Sequence, residues 1–222
     1  MSVEFEREIL AHIGLYRISE INLISKLYPG EGIADLLSTL KRKGLTKPVK
    51  LGSNRTGFGL TKKGAELASV AEDRARNYKA QALHKHLGIL HWACSGPKRV
   101  RLEANEVSEF FEENPPLGDF CISGGDSVRL WNIYVPQQNA QVSSVLRRTR
   151  DSIAESRLVS AALPYIEDKR LGWMIVILGN ETEKLAVEDK QRAVLEAIKR
   201  RQRGKAPLRA EAYIRVEKVI FS

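Results

Sequence analysis

Between Leu36 and Ala65 the chain carries eight Lys or Arg residues and no Asp or Glu. They are Lys41, Arg42, Lys43, Lys47, Lys50, Arg55, Lys62 and Lys63. The whole chain is less one-sided, with 36 basic against 27 acidic residues and a net charge of +9. Residue order inside the run is as restrictive as its charge. An apolar-periodic helix ends in Lys41-Arg42-Lys43-Gly44, and a short strand then reaches a Gly-Ser-Asn-Arg-Thr-Gly turn over 52–57. A second strand leads into Leu60-Thr61-Lys62-Lys63-Gly64. Gly44 falls where a helix C-cap favours a residue that takes positive φ.

The residues before this run supply two more helices. Phe5, Ile9, Leu10 and Ile13 recur at helical spacing. Ser19 is placed to cap a second helix with Ile21, Leu23, Ile24 and Leu27 apolar, and Tyr28-Pro29-Gly30 breaks it. The third helix is predicted from about Glu31 to Lys43, with Ile33, Leu36, Leu37 and Leu40 inward. Three helices followed by a basic hairpin read as a winged helix-turn-helix over residues 1–66. In that unit the third helix enters the major groove and the wing touches the backbone or minor groove. Lys41, Arg42, Lys47, Lys50 and Arg55 are then expected to neutralise phosphates, with Asn54, Lys62 and Lys63 beside them. Ala34, Ser38 and Thr39 are best placed for base edges.

Residues 67–86 turn to Ala, Glu, Arg and Lys and read as a connecting helix. Ala68, Ala71, Ala75, Tyr78 and Ala82 form a small-residue stripe that packs either against a second copy, as the seam of a homodimer, or on the chain's own C-terminal domain. His84, His86 and His91 fall here or just beyond, with no carboxylate at ligand spacing, so no metal is expected.

Residues 87–222 read as a separate α/β unit. Gly88–Cys94 is an apolar run open to helix or strand. A short strand over Arg99–Leu102, an acidic helix over Glu103–Glu113 and a hairpin of 119–123 with 127–135 follow. One long helix is predicted from Gln137 to Leu163, with Leu158 among its inward residues. Trp173–Leu178 is wholly apolar, as in a strand buried on both faces. A helix over 182–203 ends in the basic run Lys199 to Arg203, and a strand over 212–221 closes the chain. The order β-α-β-β-α-β-α-β implies a mixed sheet flanked by helices, and an α+β chain as a whole.

Bulk properties narrow the function classes. No apolar run approaches a membrane span, and the acidic N-terminus lacks a signal-peptide pattern. Two cysteines are too few for a disulfide framework, which fits a cytoplasmic setting. The positive balance favours a polyanion. Neither a GxxxxGK[ST] loop, a GxGxxG fingerprint nor a GxSxG elbow occurs, and no cofactor is expected.

The combination of Leu60-Thr61-Lys62-Lys63-Gly64 with the histidine-led segment His86-Leu87-Gly88-Ile89-Leu90 resembles the replication-relaxation family of plasmid and mobile-element proteins. That resemblance implies a winged helix followed by a restriction-endonuclease-like domain. A cutting core of that kind needs carboxylates around a divalent metal and a nearby lysine. Glu103 or Glu106 and Asp119 are the candidate acids. The next strand, Leu130-Trp131-Asn132-Ile133-Tyr134-Val135, offers neither acid nor lysine. The expectation is therefore an inactive core in a non-enzymatic protein that binds double-stranded DNA, serving replication control, transfer or transcription. The alternatives are a metal-dependent nuclease using those acids, and a winged-helix module that binds protein.

Overall fold

The computed structural model describes residues 2–29, 32–51, 55–111, 115–124, 128–178, 181–201 and 214–219. Its chain divides into two compact units, Met1–Cys94 and Ser95–Phe221.

In the first unit, α1 (Val3–Tyr16) starts at Ser2, whose Oγ accepts the Phe5 amide at 3.2 Å. With α2 (Ile21–Leu27) and α3 (Ile33–Arg42) it buries Ile9, Leu10, Ile13, Ile24, Ile33, Leu36, Leu37 and Leu40 in one cluster. These are the apolar positions that helical spacing selects. Gly44 takes φ +71° and turns the chain into β1 (Thr46–Lys50), which pairs antiparallel with β2 (Thr56–Leu60).

Ser19 does not cap α2; Glu20 takes that position. Ser19 instead exchanges backbone hydrogen bonds with Phe58, at 3.0 and 2.8 Å, and ties the hairpin to the α1–α2 connection. Gly57 permits this, since a Cβ there would stand 2.9 Å from the Ser19 carbonyl oxygen.

The Ser19 hydroxyl lies 3.1 Å from His12 Nε2. Burial pushes the imidazole of His12 down from 6.5 to about 4. A histidine held neutral in the fold stabilises it fully above pH 6.5, and this contribution is lost as pH falls towards 4. His12→Gln should therefore flatten the fall in unfolding free energy across that window, by on the order of 2 kcal/mol. Urea titrations at a series of pH values measure it.

The predicted connecting helix over 67–86 does not form as such. α4 (Lys62–Leu67) is short, Ser69 takes φ 55°, and a 3₁₀ turn over Glu72–Ala75 follows. Val70 and Ala75 pack into the first unit's core, and Val70 lies against Gly14, where a Cβ would stand 3.1 Å away. Burying those side chains outweighs a helical propensity worth only tenths of a kcal/mol per residue. The small-residue stripe thus loses its helix, and with it the basis for a homodimer seam.

The undecided run 88–94 is helical. α5 (Ala80–Cys94) is buried continuously from His86 to Cys94 and packs against α1 and α2. A domain boundary at 86/87 would cut through it; the first unit extends to Cys94.

The second unit is a five-stranded mixed sheet in the order β3-β4-β5-β6-β7. β3 (Arg99–Arg101), β4 (Asp119–Ser123) and β5 (Arg129–Tyr134) are antiparallel neighbours. β5, β6 (Leu171–Leu178) and β7 (Ile214–Val219) run parallel. Every β6 residue is buried, as an uninterrupted apolar strand requires. α6 (Ala104–Phe111), α7 (Val142–Ser156), α8 (Leu163–Glu167) and α9 (Glu181–Arg201) complete it. Val107, Val145, Leu146, Ile153, Ile166 and Val187 from these helices pack on Phe120, Leu130, Trp173, Ile175 and Ile214 of one sheet face.

The single helix expected over 137–163 is divided into α7, a 3₁₀ turn over Ser160–Ala162, and α8. Leu158, read as inward, is 87% exposed in the intervening turn. An unbroken helix of that length would span about 40 Å. The turn instead returns Ala162 and Ile166 to the core. Cys94 and Cys121 are free and buried, and burial pushes their thiols up to about 11 and about 12, so neither supplies a reactive thiolate. Among the described residues no helix is long and apolar enough to cross a membrane.

Candidate nucleic-acid interface

α3 has two faces because its apolar residues recur every three to four positions. Opposite the buried stripe stand Ala34, Asp35, Ser38, Lys41 and Arg42, all exposed. Thr39 is half-buried, and its Oγ1 accepts a hydrogen bond from Arg42 Nη2 at 3.0 Å. Lys41 has no acid partner among the described residues. Lys43 turns the other way and binds both Glu6 carboxylate oxygens, at 2.6 and 2.8 Å.

The hairpin divides its cations between two tasks. Strand alternation leaves Pro48 and Lys50 exposed, while Lys47 is half-buried. Lys47 Nζ donates to the Ala75 carbonyl, and burial lowers its pKa. Asn54 lies outside the described residues. Arg55 does not stand alone at a hairpin tip: its Nε and Nη2 donate to Glu20 Oε1 at 3.2 and 2.6 Å, and Nη2 to Oε2 at 2.5 Å. His91 Nε2 meets Glu20 Oε2 at 2.8 Å from the other side. Burial pushes the Glu20 carboxyl up, but hydrogen bonds from His91 and Arg55 outweigh it and hold the group below its ordinary value. Sequence reading missed this cluster, since Glu20 and His91 are separated by 71 residues. No local pattern signals such a partner.

Lys62 pairs with Glu72 across two exposed side chains at 2.5 Å, a bond of small consequence in solvent. Lys63 Nζ points to the Lys43 carbonyl at 3.4 Å. Between them the phrase Leu60 to Gly64 has a structural task. Thr61 Oγ1 accepts the Gly64 amide at 3.1 Å and donates to the Gly44 carbonyl at 2.7 Å. The Thr61 amide binds the Leu45 carbonyl at 3.1 Å. One threonine thus caps α4 and clamps the turn that leaves α3.

The acids considered for metal-dependent cutting are otherwise engaged. Glu106 Oε2 accepts the Glu103 amide at 2.6 Å, satisfying a donor ahead of α6. Asp119 Oδ1 is bound by Arg101 Nη2 at 2.7 Å, with that arginine 6% exposed. Asn132 is buried and donates to the Leu117 carbonyl at 3.2 Å. Tyr134 lies under the Arg148 guanidinium, 5.3 Å from its ring centroid. Among the described residues no three His, Cys, Asp or Glu side chains are grouped to hold a metal ion. His86 packs edge-on against Tyr78 at 4.9 Å, and His91 serves Glu20. The basic run Lys199 to Arg203 lies outside the described side chains.

The face that remains is the outer side of α3 with Lys50 of β1: Lys41, Arg42 and Lys50 as cations, Ala34 and Ser38 as small neighbours, and Asp35 as an acid at the helix start. No family model, curated protein or solved structure matches this chain.

Proposed function

We propose that the first unit is a winged helix and that the protein binds double-stranded DNA without cleaving it, α3 entering the major groove and the β1–β2 hairpin lying along the backbone. The observation that carries this reading is the exposed face of α3. It sets two cations of the helix's last turn beside small side chains, while the apolar side is fully committed to the core. Arg55, Lys47, Lys62 and Lys63 have intramolecular partners, so Lys41, Arg42 and Lys50 are the phosphate-binding set. Ala34, Ser38 and Thr39 are the base-reading positions, and Asp35 disfavours phosphate near the helix start. The resemblance to mobile-element proteins points to control of replication, transfer or transcription as the process served.

Three phosphate contacts predict that log K falls with log salt at a slope of about −2.5 to −3. Lys41→Ala with Arg42→Ala should reduce that slope by roughly two. The measurement is fluorescence anisotropy on duplexes first selected from a random pool. A slope unchanged by the double substitution would remove α3 from the interface.

A further inference from the structure

β3 and β7 are the outer strands of the second unit's sheet, and an ion pair joins them. Arg99 of β3 donates from Nη1 to Glu217 Oε2 at 2.8 Å and from Nη2 to Glu217 Oε1 at 3.1 Å. Its Nη1 also donates to Ser95 Oγ at 3.1 Å. Gly96 leaves room for this arrangement. A Cβ there would stand 2.5 Å from Arg99 Nε and 2.8 Å from Cζ. A carboxylate, a hydroxyl and a bare stretch of backbone thus hold one guanidinium in a defined place, which is the preorganisation that a binding wall needs.

Beside this guanidinium lies a cavity of about 370 Å³, lined by Ser95, Arg99, Lys184, Val216, Glu217 and Lys218. Residues 216–218 are successive on β7 and alternate in direction, so the cavity follows the strand's outer edge. Lys184 comes from the start of α9. Three cations and one carboxylate therefore share the space, and that carboxylate is already matched by Arg99. Lys184 meets Glu188 at 3.7 Å, one turn along its helix. Charge-assisted bonds run at about 2.7–2.9 Å, so this is a loose pair of small worth. The cavity keeps a positive balance, which concentrates anions within it. A sheet edge also suits an oxyanion, because its outward amides are donors. The volume falls in the range of small-molecule sites, about 300–1,000 Å³, and Val216 gives it one apolar wall. A bare phosphate ion would fill only part of it.

We propose that this cavity is a binding site for a small organic phosphate. Lys184 and Lys218 hold the phosphate oxygens as point charges, Arg99 completes the positive wall, and Val216 faces the organic part. The site draws on no residue of α3 or the β1–β2 hairpin, so it stands or falls independently of the DNA-binding reading.

The test is calorimetric titration of the full chain with inorganic phosphate and with phenyl phosphate, at constant ionic strength balanced with chloride. Lys184→Gln and Lys218→Gln should each weaken phenyl phosphate binding by roughly tenfold, the effect of losing one charge-assisted contact. Lys184→Arg and Lys218→Arg keep the charge and should stay within about threefold of the wild type. Lys190→Gln removes the same charge from an exposed position of α9 outside the cavity and should change nothing. Neither Lys184 nor Lys218 is buried, so thermal unfolding of the variants should match the wild type and keeps the comparison valid. Phenyl phosphate should bind more tightly than inorganic phosphate. Equal affinities would overturn the organic part of the assignment and leave the free ion as ligand. A wild type that binds neither probe, or glutamine variants that bind as the wild type does, would overturn the site.

Discussion

Glu20→Ala should destabilise the first unit by about 3–5 kcal/mol, the usual result of breaking a buried ion pair from one side. The Glu20 side chain is 11% exposed and receives Arg55 at 2.5 Å and His91 at 2.8 Å. Its removal deprives a guanidinium and an imidazole of the carboxylate they share. Arg55 keeps 27% of its side chain in contact with solvent, which sets the expectation near 3 kcal/mol. The fold loses more than one bond in this change. Glu20 stands at the N-cap position of α2, Arg55 precedes β2 and His91 belongs to α5, so one carboxylate connects three elements. A double-mutant cycle of Glu20→Ala with Arg55→Ala, read by urea unfolding, should give a coupling of at least about 1 kcal/mol. Additive losses would show that the hairpin is held by packing alone.

The same carboxylate has a pH signature. Its pKa is lowered in the fold, so its stabilisation is present above the unfolded value, about 4.3, and is lost as pH falls through the lower folded value. Glu20→Gln should remove that acid-side loss and leave the slope between pH 6.5 and 4 intact, because His12 governs that window.

The second large effect is expected at Gly64. Inside a helix, Gly→Ala ordinarily stabilises by about 0.5–1 kcal/mol. In α4 the sign should reverse. A Cβ at position 64 would lie 2.0 Å from the Leu45 carbonyl oxygen and 2.9 Å from its carbon. Both are backbone atoms, and that carbonyl is held by the Thr61 amide. Neither side can yield without opening the clamp, so Gly64→Ala should cost on the order of 3 kcal/mol. Gly44→Ala provides the contrast. Position 44 has open space and only the positive φ to oppose it, which limits the cost to about 1–2 kcal/mol. Chemical unfolding of the two variants side by side tests the ordering. A Gly64→Ala protein as stable as wild type would mean that α4 is free to move away from the α3–β1 turn.

These two residues also show what kinds of information the chain carries locally. The phrase Leu60 to Gly64 was legible as the exit from the hairpin's second strand. Its role as a clamp on Leu45 was not legible, since that depends on a carbonyl 16 residues earlier. Lys47 and Arg55 illustrate the same limit for the candidate interface. In the sequence they are cations of an acid-free run, equivalent to Lys41 and Lys50. In the structure one binds the Ala75 carbonyl and the other Glu20, partners supplied from outside the run.

Periodicity and breakers by themselves determined the helices α1 and α3, the two hairpins, the wholly buried β6 and the alternation that makes the second unit a mixed sheet. Those patterns record which face of each element is withdrawn from water, and the withdrawal of apolar surface is the dominant driving force of folding. Only the tertiary structure decided where residues 68–79 leave the helix, that the run 88–94 is helical, and which cations are already paired. Each of those outcomes turns on a neighbour distant in the chain: Gly14 for Val70, Ala75 for Lys47, Glu20 for both Arg55 and His91. A charged or small side chain carries the same local propensity whether its partner is water or protein, so the packing of remote segments selects between them.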